Sequence, residues 1–226
     1  MGGRAAWTAA DGHGTKGSDQ GAPTMPEPIA TPEPNAIFEA LDDYAIAVGR
    51  VVYEWNHVHE ELGRLFVAVR NEDKDRLLTK WWSCKTDGGQ RTMLRDAVTN
   101  APTKNGWKKE FPKAVDDLNW LLNHVDELAE DRHNAVHAPV SPYFNADGST
   151  EVMAAYLNAR PRHPRAEKLM GKELVEFAWC ERYAETLSGF IRRLRMAMAL
   201  PRRFEWPERP DIPKREDFSG ASRRRS

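Results

Sequence analysis

The chain has 226 residues, 40% hydrophobic and 30% charged, with 33 basic against 34 acidic side chains. That length supports one substantial core, and the near-neutral balance excludes a strong overall field for nucleic acid. Two cysteines give no disulfide framework or zinc site, and no stretch reaches the ~18 apolar residues that a membrane span needs.

Residues 1–34 hold Gly, Pro, Ala, Thr and Asp with almost no large apolar side chains. Such a segment cannot bury enough surface to offset the entropy of ordering it, so it reads as disordered. No apolar run follows its first basic residue, so it does not read as a signal peptide. Ala6 stands where an N-myristoylation pattern requires Ser or Thr. The expected location is the cytoplasm, and the expected folded domain is 35–199.

Pro34 and Asn35 open a long helix whose apolar positions run Leu41, Val48, Val52, Trp55, Leu62, Phe66 and Val69. Asp73 to Trp82 reads as a shorter helix. Asp87 is the expected N-cap of another, carrying Met93, Leu94 and Ala97 to about Asn100. Pro112 fits the first turn of a helix that continues through Leu118, Leu122, Val125, Ala129 and Val136. Pro139 disfavours helical geometry at Ala138, so this helix should stop near His137. Residues 141–165 contain Asn145-Ala146-Asp147-Gly148 and a β-prone run from Val152 to Leu157, which reads as a loop with a hairpin. Gly171 leads into a last helix bearing Phe177, Cys180, Ala184, Leu187, Ile191, Leu194 and Met198. Residues 200–226, rich in Pro and Arg, read as a disordered basic tail. Arg192, Arg193, Arg195, Arg202, Arg203 and Arg223–Arg225 then form a solvated face and a solubilising tail rather than an RNA-contacting patch. Long helices with short connections predict an all-α, up-and-down bundle with a loop or hairpin inserted before the last helix.

The chemically pointed feature lies at the end of the 112–137 helix. At about 100° per residue from Val125, Leu118, Ala129 and Val136 fall within about 40° of each other, and Arg132 falls inside that apolar stripe. A permanently charged guanidinium there must snorkel out, pair with a buried acid or face an interface. His137 lies about 140° further round than Arg132. It occupies the last turn, where the helix's partial negative charge favours a cation and suits a residue that takes and gives a proton.

Asp131-Arg132-His133-Asn134-Ala135-Val136-His137 contains an Arg–polar–x–x–x–His pattern and resembles the signature of HEPN domains. The Arg–His spacing is uninformative in so Arg-rich a chain. The polar residue after the Arg and the position at a helix end carry the likeness. The resemblance implies a helical bundle and a metal-independent endoribonuclease in a defence or toxin–antitoxin role, with no cofactor. It implies that Arg132 and His137 act on the RNA phosphate and ribose 2′-hydroxyl, supported by His133 and Asn134. It also implies a homodimer, each protomer supplying one copy of the motif, and an antitoxin or other partner protein.

Competing readings come from other classes. A non-catalytic module that binds RNA or protein would retain the motif for structure, with Arg132 paired to a buried carboxylate and His137 capping the helix. Glu54–His57 and Glu130–His133 share the Glu-x-x-His spacing of di-iron bundles, but Glu54, His57 and Glu130 fall outside the apolar stripes of their helices, where di-iron ligands must point inward. His59 points inward and reads as a core histidine. Trp55, Trp81, Trp82, Trp120 and Trp179 read as core packing rather than a base-stacking platform.

Overall fold

The computed structural model describes residues 34–102, 106–137, 140–145, 148–154 and 174–219. The expected disorder of 1–33 and 220–226, and the loop at 155–173, lie outside them. Among the described residues, seven helices and one hairpin follow in order: α1 Pro34–Arg70, α2 Lys74–Trp82, α3 Asp87–Thr99, α4 Gly106–Glu110, α5 Ala114–His137, β1 Val140–Phe144, β2 Thr150–Ala154, α6 Leu174–Ala199 and α7 Glu216–Ser219. The protein is an all-α helical bundle with a small hairpin insertion. No helix among the described residues is long and apolar enough to cross a membrane.

Local chemistry sets the helix ends. Asn71 takes a left-handed φ of 49° after α1, and its N–H donates to the Val67 carbonyl at 2.8 Å, a closure that Asn tolerates better than most residues. Asp73 caps α2 by accepting from the Arg76 N–H at 2.8 Å. The cap of α3 is Thr86, whose Oγ1 accepts from the Gly89 N–H at 3.1 Å. Asp87, expected as that cap, is instead the first helical residue, which leaves its carboxylate free for a partner on α1. Helix α5 runs to His137, and the chain re-emerges at Val140 in an antiparallel pair with Ala154, closed by Gly148 at φ 83°. Helix α4 is too short to leave a periodic signal. It is held by Trp107, which is buried and donates from Nε1 to the Val69 carbonyl at 3.3 Å.

Contacts advance together along α1 and α6: Tyr44 meets Phe177, and further on Arg195 meets Glu61. These two helices therefore run in the same direction. Along α5 the order reverses, Trp120 meeting Phe190 and His124 meeting Tyr183, so α5 is antiparallel to both. Their shared core contains Val58, Leu62 and Phe66 from α1, Leu118, Leu122 and Val125 from α5, and Phe190, Ile191 and Leu194 from α6. Helix α3 is tied to α5 from outside: Asp126 accepts from Arg91 Nε at 2.5 Å and from Arg95 Nη2 at 2.8 Å.

The segment after α6 corrects the expectation of a disordered tail. Residues 200–219 form a strap along α5 and α6. Near its start, Trp206 Nε1 and Arg209 Nε donate to the two oxygens of the buried Asp117, at 2.7 and 2.5 Å. Midway, the Pro213 carbonyl accepts from Trp179 Nε1 at 2.8 Å. At its end, Arg215 stacks 4.3 Å from the Trp179 ring and bridges Asp131 and Glu176 at 2.6 and 3.1 Å. Composition concealed this because three spaced anchors, Trp206, Ile212 and Phe218, pack against the core, while arginines cover tryptophan faces instead of facing water. The tryptophans divide accordingly: Trp81 is buried, but Trp82 is 56% exposed and packs no core.

Asp117→Ala tests the strap. It strips two charge-assisted or indole hydrogen bonds from a buried acceptor and should cost about 2 kcal/mol, after discounting for the half-exposed Arg209. Urea unfolding should show a lowered midpoint. An unchanged midpoint would mean that the strap is not docked in solution.

Candidate functional site

Three helices meet below the end of α5. Trp55 and His59 stand one turn apart on α1, Asp87, Gln90 and Arg91 open α3, and Arg132 and His133 come from α5. A hydrogen-bonded chain fixes the floor. Gln90 Nε2 donates to the Trp81 carbonyl at 3.2 Å, and its Oε1 accepts from His59 Nδ1 at 2.8 Å. The His59 ring packs 4.8 Å from that of Trp55, whose Nε1 donates to Asp87 Oδ2 at 2.8 Å. Asp87 could not do this as an N-cap with its side chain turned to the helix end.

On this floor lies Arg132. It is half-buried, its guanidinium carbon 5.5 Å from the Trp55 ring centroid. Its Nε is buried with no hydrogen-bond partner, and among the described residues it forms no ion pair. Among the described residues, no buried carboxylate pairs with it. Desolvation pulls the guanidinium's pKa below its ordinary value, and the charge of Asp87 opposes that. Cation–π contact with a partly desolvated Trp recovers on the order of 1–2 kcal/mol, less than the several kcal/mol that desolvating an ion costs. The site therefore holds a positive charge stacked on an indole, with no ion pair among the described residues.

Arg91 adds a second guanidinium, 5.8 Å from the same ring and 12% exposed, but anchored by Asp126. Together Trp55, Asp87, Arg91, Asp126, Arg132 and His133 line a hollow of about 450 Å³. Glu130 lines it too, so the hollow sets two arginines against three carboxylates.

Not every expected site residue reaches the hollow. His133 lines it. His137 does not: it is exposed at the helix terminus, its ring centroid 4.6 Å from that of His133 and tilted by 52°. Helix α5 remains helical to its end, so the expected separation of about 140° from Arg132 holds. Asn134 lies on α5, and its side chain is outside the described residues. Sequence reasoning missed Asp87 and Arg91 and placed Trp55 only in the core. Trp55 is in the core, 2% exposed, and is at the same time the platform for Arg132. Only the offset between Trp55 and a charged residue on another helix's apolar stripe could have signalled the stack.

His59 is the buried histidine expected. The Glu54–His57 pair faces α6, where Arg192 Nη2 approaches His57 Nε2 at 3.3 Å. Among the described residues, no three His, Cys, Asp or Glu side chains converge as metal ligands.

Burial lowers the His59 pKa from its ordinary 6.5, aided by Arg91 and Arg132 and opposed by Asp87 and the Gln90 hydrogen bond. The folded protein therefore binds fewer protons at this position than the unfolded chain. Stability is complete above pH 6.5 and is lost as the pH falls below it, with a slope of at most about 1.4 kcal/mol per pH unit. Urea unfolding from pH 7.5 to 5 should show this loss, and His59→Gln, which retains a donor toward Gln90, should flatten it. An identical slope in the variant would place the titration elsewhere.

Comparison with known proteins finds no matching family model, no similar curated protein and no similar solved structure.

Proposed function

We propose that the chain is a metal-independent endoribonuclease of HEPN type, working as a homodimer on single-stranded RNA. The observation that carries this reading is the guanidinium of Arg132, stacked on Trp55 beside an open hollow with no ion pair among the described residues. The contact with Trp55 recovers only part of the desolvation cost, whereas a phosphate would complete the arrangement. A planar guanidinium supplies two parallel donors and a permanent charge to phosphate oxygens.

The reaction follows from what such a site supplies. The ribose O2′ attacks the adjacent phosphorus while the bond from phosphorus to O5′ breaks. A base accepts the 2′ proton, and an acid delivers one to the leaving oxygen. Arg132 stabilises the charge that grows on the phosphorane oxygens. Two proton carriers are needed, and within one chain His137 is turned away from Arg132. A twofold partner bringing its own α5 terminus across the hollow would supply the second set. Neighbouring Arg91 would hold a flanking phosphate.

The test is incubation of the purified protein with total cellular RNA, with and without excess EDTA, followed by analysis of the fragment ends. Cleavage should survive EDTA and leave 2′,3′-cyclic phosphate and 5′-hydroxyl ends. Loops should be cut before duplex, and DNA should be inert for lack of the hydroxyl. His137→Ala should abolish cleavage at a stability cost on the order of 1 kcal/mol or less. Cleavage that EDTA eliminates would refute the mechanism. Absence of any cleavage would favour the module that binds RNA or protein without catalysis.

A further inference from the structure

We infer that His133 and His137 form a two-imidazole clamp for a divalent transition-metal ion such as Ni²⁺, closed by solvent and seated on the last turn of α5. The clamp stands on geometry alone. Its consequence for catalysis, that a bound ion silences His137, rests on the proposed function.

Residues four apart on a helix share a face, with Cβ atoms about 5–6 Å apart, and two histidines at that spacing are a recurring metal-binding pair. Here both rings are exposed and already converge, with centroids 4.6 Å apart. A metal bound at about 2.1 Å to each imidazole nitrogen lies about 3.2 Å from each ring centroid. At a bond angle between about 90° and 109°, the two centroids then stand about 4.5–5.2 Å apart. The observed separation falls in that range, and the 52° tilt is not that of a parallel stack. The rings therefore need little rearrangement to chelate. The position adds a second favourable term, because His137 is the last residue of α5 and the partial negative charge of a helix C-terminus attracts a cation.

Chemistry then sets the selectivity. No third His, Cys, Asp or Glu among the described residues completes the group, so water fills the remaining positions. Two neutral nitrogens with water suit borderline ions that favour imidazole, and the expected order follows the divalent series, with Ni²⁺ well above Mn²⁺ and Mg²⁺ excluded. A metal bound through His137 occupies the lone pair that proton transfer needs. The ion is thus an inhibitor of this site rather than its cofactor, and its removal is an activation.

Calorimetric titration of untagged, EDTA-treated and dialysed protein with NiCl₂ at pH 7.5 tests the clamp without reference to activity. One ion should bind per chain. Removing an outer-shell partner from a metal site typically weakens it about 10- to 100-fold, so His133→Gln and His137→Gln should each weaken binding at least about tenfold. His57→Gln, on another face, should leave it unchanged, and far-UV circular dichroism confirms that each variant is folded. Binding that persists in the His133→Gln/His137→Gln double variant, or no binding to wild type at millimolar Ni²⁺, overturns the clamp. In the RNA assay, saturating Ni²⁺ should suppress cleavage at least tenfold, and EDTA should restore it. Binding to the pair in a protein that cleaves no RNA under any condition leaves the clamp intact and removes the ribonuclease reading instead.

Discussion

The guanidinium of Arg132 lies over the Trp55 ring with its Nε lacking a hydrogen-bond partner, and much of the surrounding architecture holds that arrangement in place. The indole is locked beneath it by the Asp87 carboxylate and by the His59 ring. Gln90 orients His59 from the other side. The bonds from Asp87 and Gln90 join α1 to α3, so the platform is as rigid as the packing between those helices. A charge on such a platform has little freedom to swing away into water, and its field is weakly screened where the site is partly dry. Holding it costs free energy that the surrounding core must offset, a pattern expected where binding or catalysis sets the requirement.

The same constraint gives the strap a purpose. Helix α5 must present Arg132 at a fixed height above Trp55, and the strap grips α5 near both ends, at Asp117 and at Asp131. Asp131 immediately precedes Arg132. It pairs with Arg215 of the strap at 2.6 Å. In the same way Asp126 is occupied by Arg91 and Arg95. Among the described residues, Arg132 is left without an ion-pair partner.

The helices were legible in the sequence because their apolar positions repeat with the helical period over many turns, and because Pro139 ends α5 where it does. Arg132 stood out for the same reason, as a charge interrupting a periodic stripe. What was hidden depends on contacts between elements. The role of Asp87 followed from Thr86 taking the cap, a local competition between neighbouring cap formers. The strap was hidden because Pro-rich, Arg-rich sequence has the composition of a solvated tail, and only Trp206, Ile212 and Phe218 betray anchoring. Trp82 and Trp81, adjacent and alike in composition, differ completely in burial because successive residues of α2 point about 100° apart. The angular separation of Arg132 and His137 could be read from spacing, but the proximity of His133 to His137 as paired rings needed coordinates.

The central claim is that Arg132 is retained for what it binds and not for the fold. Arg132→Met removes the charge, keeps an apolar chain over Trp55, and separates these possibilities through equilibrium unfolding in urea measured beside RNA cleavage. Replacing an unpaired, partly buried charge by a well-packed apolar group is neutral or stabilising. The variant should therefore unfold within about 1 kcal/mol of wild type, or above it, while cleavage is lost. A loss of stability of about 3 kcal/mol or more, the cost of breaking a buried ionic contact, or undiminished cleavage in a stable variant, would contradict the account.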